Sequence, residues 1–295
     1  MKIDLQPGTY IIAVSGGVDS MVLLDILRQK KGVNLIVAHY DHGIRPESAI
    51  DRQLVAQVAS QHGLSFIYDN GCLGASASEN QARKARYKFL ESVKTASGAR
   101  AIVTAHHADD AMETAILQIL RGTGRRGLSS LASNNDIVRP LLLVSKADIL
   151  AYANANGIVW NEDSTNKDTV YARNKVRHDI VPKFSAKNKE KIHKIIASAH
   201  QTNKEIDELL DLALHMQDSQ TTLDRQWFIS LPHNVSTELV AHWLRRQQIR
   251  GFNRRQLEKL VVSMKTLPKG HKIVVNKTHA VEIKSKILAL IRLER

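Results

Sequence analysis

Thr9-Tyr10-Ile11-Ile12-Ala13-Val14-Ser15-Gly16-Gly17-Val18-Asp19-Ser20 starts as a short β-rich apolar run, breaks at a glycine pair, and passes into a helical stripe at Met21, Leu23, Leu24 and Leu27. A strand that turns through glycine into a helix makes a phosphate site. The helix N-terminus offers unpaired amides and partial positive charge, and Gly16 and Gly17 let the backbone approach phosphate oxygens with no Cβ in the way. Ser15 and Ser20 add hydroxyl donors, Val18 adds its backbone, and Asp19 suits a Mg²⁺ bridging phosphates. The hexapeptide is neither Gly-x-x-x-x-Gly-Lys-Ser/Thr nor Gly-x-Gly-x-x-Gly.

Outward from this loop, strand and helix alternate. Strands are expected at Asn34–Ala38, Ser65–Tyr68 and Ala101–Thr104. Helices are expected from Pro46 to about His62, over Glu79–Thr95 and over Asp109–Leu120, the last stopped by Gly122. The repetition predicts an α/β fold with a doubly wound, mostly parallel sheet. Arg139-Pro140-Leu141 begins an extended link, Lys146–Asn156 is a helix capped by Ser145, and Asn161–Thr169 is a polar loop. Helices are predicted over Tyr171–Ile180, Lys187–Met216, Thr237–Gln247 and Arg254–Lys265. A β-rich run over Lys272–Arg292 turns at Asn276-Lys277. We read residues 1–185 as a catalytic domain, 186–218 as a helical linker and 219–295 as a small basic α+β domain.

Of the 295 residues, 43% are hydrophobic and 24% charged, as in ordinary soluble proteins. No apolar run reaches a membrane span and the N-terminus has no signal-peptide core, so no membrane partner and a cytoplasmic location are expected. With Cys72 as the single cysteine there is no intramolecular disulfide and no cysteine-built metal centre. The net charge is +13, of which residues 183–295, with 21 Lys and Arg against 11 Asp and Glu, carry +10. That points to a polyanion partner, nucleic acid first.

All five fixed letters of the hexapeptide match the Ser-Gly-Gly-x-Asp-Ser loop of the ATP pyrophosphatases, the PP-loop superfamily, which cleave ATP between its α and β phosphates and adenylate a carbonyl oxygen. Within that group the chain resembles the tRNA(Ile)-lysidine synthetases. The likeness rests on Tyr40-Asp41-His42-Gly43-Ile44-Arg45, Glu79–Tyr87, Thr104-Ala105-His106-His107-Ala108-Asp109-Asp110-Ala111-Met112-Glu113-Thr114, Arg121-Gly122-Thr123-Gly124, Arg139-Pro140-Leu141, Asn161–Asn166 and Tyr171–Arg177, and so spans about residues 10–182. One position departs: Ala111 stands where the family usually has Gln. The chain also ends before the additional C-terminal domain of longer members and resembles the short form. The resemblance implies an adenine nucleotide alpha hydrolase-like fold. It also implies ATP and Mg²⁺ as cofactors, and free L-lysine and a CAU-anticodon isoleucine tRNA as partners. The implied reaction adenylates the wobble cytidine, joins lysine to it to form lysidine, and releases pyrophosphate and AMP.

Asp110 and Glu113, three apart on a predicted helix, share a face, and Asp41 ends a neighbouring strand. Three carboxylates suit a cationic amine, and the resemblance assigns this set to lysine; acids at a helix N-terminus also serve the helix dipole alone. His106 reads equally as a nucleotide or proton-transfer contact and as a hydrogen-bonded strand-end residue. His106, His107, Asp109 and Asp110 are too close in sequence to chelate one ion well. Arg86, by resemblance, faces ATP or the activated intermediate. Arg173, Asn174 and Arg177 on one helix, and Arg125 and Arg126 in a glycine-flanked loop, are candidate tRNA contacts. Trp160 reads as core packing before base stacking. Three other readings share some features. A tRNA thiolase of the same group typically carries Cys-x-x-Cys pairs, absent here. An amide-forming synthetase needs an ammonia source, and a non-catalytic RNA-binding module has no use for the intact carboxylates.

Overall fold

The computed structural model describes residues 3, 5–43, 48–71, 74, 78–134, 136–161, 175–217 and 219–293. They form two compact units, Met1–His200 and Gln201–Arg295.

The first unit is built on five parallel strands, β1 (Gly8–Ala13), β2 (Val33–Asp41), β3 (Ser65–Asn70), β4 (Ala101–Val103) and β5 (Ile137–Val138), in the order β3-β2-β1-β4-β5. The helices α1 (Val18–Arg28), α2 (Ser48–Gln61), α3 (Glu79–Ser97), α4 (Ala108–Leu120) and α5 (Lys146–Ala155) connect or follow them. Side chains of a strand alternate between faces, and a parallel sheet must bury both. Tyr10, Ile12 and Val14 of β1 and its extension, with Leu35 and Val37 of β2 and Ala101 and Val103 of β4, pack under α1, α2 and α5. The intervening Ile11, Ala38 and Ile102 pack under Phe89, Leu90 and Val93 of α3. The doubly wound reading holds. The strand order reverses between β1 and β4, so the crevice beyond their C-terminal ends is the topological switch point where such sheets bind ligands. Both the glycine loop and the His106–Glu113 segment leave the sheet there.

α6 (Ala186–His215) is one continuous helix whose residues are divided between the two units, so the segment read as a linker belongs to both. The second unit continues with β6 (Thr222–Asp224), α7 (Arg225–Ser230), α8 (His233–Arg246), α9 (Arg254–Thr266), β7 (Lys272–Val274), β8 (His279–Ile283) and β9 (Ile287–Arg292). Its strands form an antiparallel sheet, β6-β9-β8-β7, over a core of Phe228, Trp243, Val261, Met264 and Leu288.

Three local features add to or change the reading. β5, just before the link that begins at Arg139, was not anticipated; it is only two residues long and shows no periodicity. β6 and α7 were not anticipated; Asp224 caps α7 by accepting the Trp227 amide at 2.7 Å. The described end of the Tyr171–Ile180 helix is a widened turn over Val176–Ile180 followed by a 3-10 turn, Val181–Lys183. Pro182 has no amide to continue an α-helix and its ring crowds the preceding turn, so the chain closes instead through the Val181 amide on the Val176 carbonyl.

Candidate active site

The loop after β1 is held by its own serines. The Ser15 amide donates to Ser20 Oγ (3.1 Å), the two hydroxyl oxygens lie 3.2 Å apart, and the Ser20 hydroxyl donates to the Gly17 carbonyl (2.9 Å). Gly17 is the N-cap of α1 and no side chain caps the helix; its own amide donates to Ser15 Oγ at 3.4 Å and the Ser20 amide to the Gly17 carbonyl at 3.1 Å, which leaves the Val18 and Asp19 amides as the turn's open donors. Gly16 has φ +95° and lies against Asp51: a Cβ there would sit 3.2 Å from the Asp51 Cβ. Its carbonyl accepts the Asn161 amide at 3.1 Å, and the Asn161 side chain donates to Asp51 Oδ1 at 2.8 Å, which ties the loop to the start of α2. Buried His39 supports the same corner, its Nδ1 2.9 Å from the Val14 carbonyl.

A line of charged side chains runs from this loop to α4. Lys146 Nζ, in the first turn of α5, is 2.6 Å from Asp19 Oδ1. His107 Nε2 is 3.8 Å from the same oxygen and 3.4 Å from Asp110 Oδ2. His107 is the N-cap residue of α4, and its backbone amide donates to Asp110 Oδ2 at 3.0 Å. Arg177 closes the line: its Nε and Nη2 donate to Glu113 Oε1 and Oε2 at 2.6 and 2.9 Å, and Nη2 reaches Asp110 Oδ1 at 3.3 Å. Glu113 is 2% exposed, so this bidentate pair satisfies a carboxylate that water barely reaches. Burial draws the Arg177 guanidinium down, but hydrogen bonding and attraction from Glu113, with Asp110 and Asp19 behind it, raise it overall.

His106 Nδ1 lies 2.9 Å from Thr104 Oγ1. Burial lowers its pKa to about 3; Asp110 opposes the shift, while Arg139, Arg86 and Arg83 reinforce it. The imidazole is therefore neutral at physiological pH. Arg139 is itself 7% exposed, donates through Nη1 to the Ala132 carbonyl at 2.8 Å, and is drawn down by burial. The amides of a glycine loop, two carboxylates, an imidazole and several guanidinium groups thus gather at one switch point.

A family model described as a PP-loop domain matches residues 3–184. The chain belongs to the PP-loop family. Curated relatives include the tRNA(Ile)-lysidine synthase of Geobacter sulfurreducens, 38% identical over 190 residues that cover 60% of this chain and 40% of that protein. The corresponding protein of Solibacter usitatus is 30% identical over 272 residues, 88% of this chain and 62% of that one. The chain thus spans roughly two to three fifths of the length of these relatives. Among solved structures, the U34-tRNA thiolase NcsA from Methanococcus maripaludis with its [4Fe-4S] cluster shares the fold, with a TM-score of 0.54, 16% identity and coverage of 66% of this chain and 73% of that one.

In this PP-loop site the candidates separate. Asp110 and Glu113 lie side by side on α4 as the spacing required, and Arg86 lies within electrostatic reach of His106. Asp41 ends β2, two strands from β4, and its Oδ1 accepts the Gly43 amide at 2.8 Å. Arg177, read as a phosphate contact, is engaged by the carboxylates. Arg125 and Arg126 lie half-buried in a 3-10 turn, Arg125–Gly127. Trp160 packs against the main core. Cys72, Arg173, Asn174 and most of Asn161–Asn166 lie outside the described residues. Lys146 went unread, visible only as the residue after a helix cap; His107, weighed only as a metal ligand, is instead the N-cap three residues before Asp110. Among the described residues no group of three or more His, Cys, Asp and Glu is placed to hold a metal, and no helix is long and apolar enough to cross a membrane.

Proposed function

We propose that this protein is an ATP-dependent ligase that adenylates the wobble cytidine of a CAU-anticodon isoleucine tRNA and joins free L-lysine to it, forming lysidine. The observation that carries the reading is the cation-holding pair of half-buried Asp110 and buried Glu113 standing at the same switch point as the glycine loop. The similarity to proteins named tRNA(Ile)-lysidine synthase supports it.

In this reading the amides of Gly17 and the first turn of α1 bind the pyrophosphate portion of ATP, and Lys146 and Arg86 neutralise charge that develops as it leaves. Asp19, one carboxylate at the loop's mouth with an ammonium beside it, fits a Mg²⁺ that is held mainly by phosphates; that ion would supply further neutralisation. Asp110 and Glu113 hold the lysine ε-ammonium. For attack on the adenylated carbon that ammonium must lose a proton, and a carboxylate within hydrogen-bond reach is the acceptor. His107 orients Asp110 through its backbone amide and links it to Asp19. His106, neutral, contributes hydrogen bonding without charge. Asp41 serves the lysine side, and Arg125, Arg126, Arg173 and Asn174 the tRNA.

Incubation with ATP, Mg²⁺, labelled L-lysine and CAU-anticodon isoleucine tRNA is expected to put label into RNA. Lysine-independent ATP–pyrophosphate exchange without labelled RNA would leave an adenylating enzyme with a different nucleophile.

A further inference from the structure

The pair that would bind lysine already holds a cation from the same chain. Both Glu113 oxygens accept from the Arg177 guanidinium, at 2.6 and 2.9 Å, and the same group touches Asp110 Oδ1 at 3.3 Å. With the Glu113 side chain 3% exposed and that of Asp110 14%, an incoming ammonium meets this carboxylate pair from the space the guanidinium fills. Arg177 itself is one-third exposed, which gives it a way out. It also sits in the widened Val176–Ile180 turn, a rare backbone form frequent at functional sites. It further feels the attraction of Asp19 beside the phosphate loop.

We propose that Arg177 is a built-in competitor for the lysine ammonium: it occupies the Asp110–Glu113 pair in the free protein and is drawn off by a phosphate group, so that lysine binds only after a phosphate-bearing substrate. This rests on the lysine-site reading above. The chemistry favours exchange. A guanidinium binds carboxylate and phosphate with the same planar fork, so a phosphate brought near offers it an equivalent partner, while a lysine ammonium replaces its charge on the carboxylates. The ordering has a consequence: lysine does not occupy the carboxylates before a phosphate-bearing substrate is in place. ATP bound at the loop and the tRNA backbone both supply phosphate.

The test is equilibrium dialysis of labelled L-lysine against the full chain, alone, with a non-hydrolysable ATP analogue, and with CAU-anticodon isoleucine tRNA. Wild type is expected to bind lysine at least about 10-fold more tightly with one of the phosphate ligands than alone, and the arm that responds identifies the source. Arg177→Gln is expected to bind lysine alone as tightly as liganded wild type. Low-millimolar guanidinium is expected to compete with lysine in that variant and far less in wild type. Arg177→Lys, which keeps the charge but not the fork, is expected to fall between and covers a failure of the glutamine variant to fold. Weaker lysine binding in both variants would make Arg177 a positioning group and overturn the latch while leaving the lysine site standing, as would phosphate-independent binding in wild type. No lysine binding by wild type in any arm would remove the lysine site and the latch together.

Discussion

Gly16 and Gly17 answer two different demands on one loop. Gly16 needs a positive φ and close approach to Asp51, so Gly16→Ala is expected to cost about 1–3 kcal/mol of stability, measured by urea unfolding. Gly17 has ordinary backbone angles, and a Cβ there would meet Ser15 Oγ at an unstrained 3.7 Å. Gly17→Ala should therefore fold with a loss of under about 1 kcal/mol yet bind ATP at least about 10-fold more weakly, because the added carbon stands where a phosphate oxygen approaches. Undiminished nucleotide binding by that variant would show that the ligand does not touch this amide. His106 makes a pH prediction. Its native pKa of about 3 lies below the 6.5 of the unfolded chain, so between those values the unfolded state takes up a proton that the native state excludes. Stability is then full above about pH 6.5 and falls as the pH drops towards 3, by up to about 1.4 kcal/mol per pH unit for this one group. Buried His39 and half-buried His193, also lowered by desolvation, act in the same direction. His106→Asn should flatten the decline measured by urea unfolding between pH 7 and 5, and an unchanged slope would place the effect on the other histidines. Much of this was legible from the letters: Gly16, Asp110 and Glu113 sit where their spacing put them. The Arg177–Glu113 pair was not, because 64 residues separate the partners and a local pattern carries no information on which distant charge a buried carboxylate meets.

Elements were legible in proportion to their length and to how plainly their ends are marked. β1, β2 and β4 are continuous apolar runs because both faces of a parallel sheet are buried, and α3 begins where a capping box says it should. β5 was invisible because two residues cannot show a period, and the turn over Val176–Ile180 because its geometry is imposed by Pro182 six positions after its start. The α3 cap has a measurable share in the site, since this helix carries Arg83 and Arg86. Ser78 Oγ accepts the Gln81 amide, and Gln81 Oε1 accepts the Ser78 amide at 2.8 Å. Ser78→Ala leaves both the amide and the reciprocal geometry weakened, and should lower stability by about 1 kcal/mol with the urea m-value unchanged. A larger loss accompanied by a changed m-value would mean that the first turn of α3 organises more of the chain than its own end.

At the scale of the whole molecule, the charge is distributed less simply than a basic C-terminal third suggests. Gln201–Arg295 holds 16 Lys and Arg against 10 Asp and Glu, +6, while Met1–His200 carries +7 over twice the length. The difference arises because Lys183, Lys187, Lys189, Lys191 and Lys194 belong to the first unit, four of them in the early turns of α6. Two exposed lysine-rich surfaces are therefore candidates for the RNA backbone. α9 buries Leu257, Leu260, Val261 and Met264 and exposes Arg255 and Lys259 four residues apart; α6 exposes Lys187 and Lys191 at the same spacing. The higher charge density of the second unit favours α9, since each phosphate neutralised releases condensed counterions. The double variant Arg255→Glu with Lys259→Glu is expected to weaken tRNA binding and to reduce the slope of log K against log salt by about 1.4–1.8, two contacts at about 0.7–0.9 each. Lys187→Glu with Lys191→Glu changes the net charge by the same amount and should leave the slope within about 0.5 of wild type, because a slope counts contacts and not net charge. Equal loss of slope in both would mean that long-range attraction, not local phosphate contact at α9, brings the RNA to the protein, and the reverse pattern would move the interface to α6.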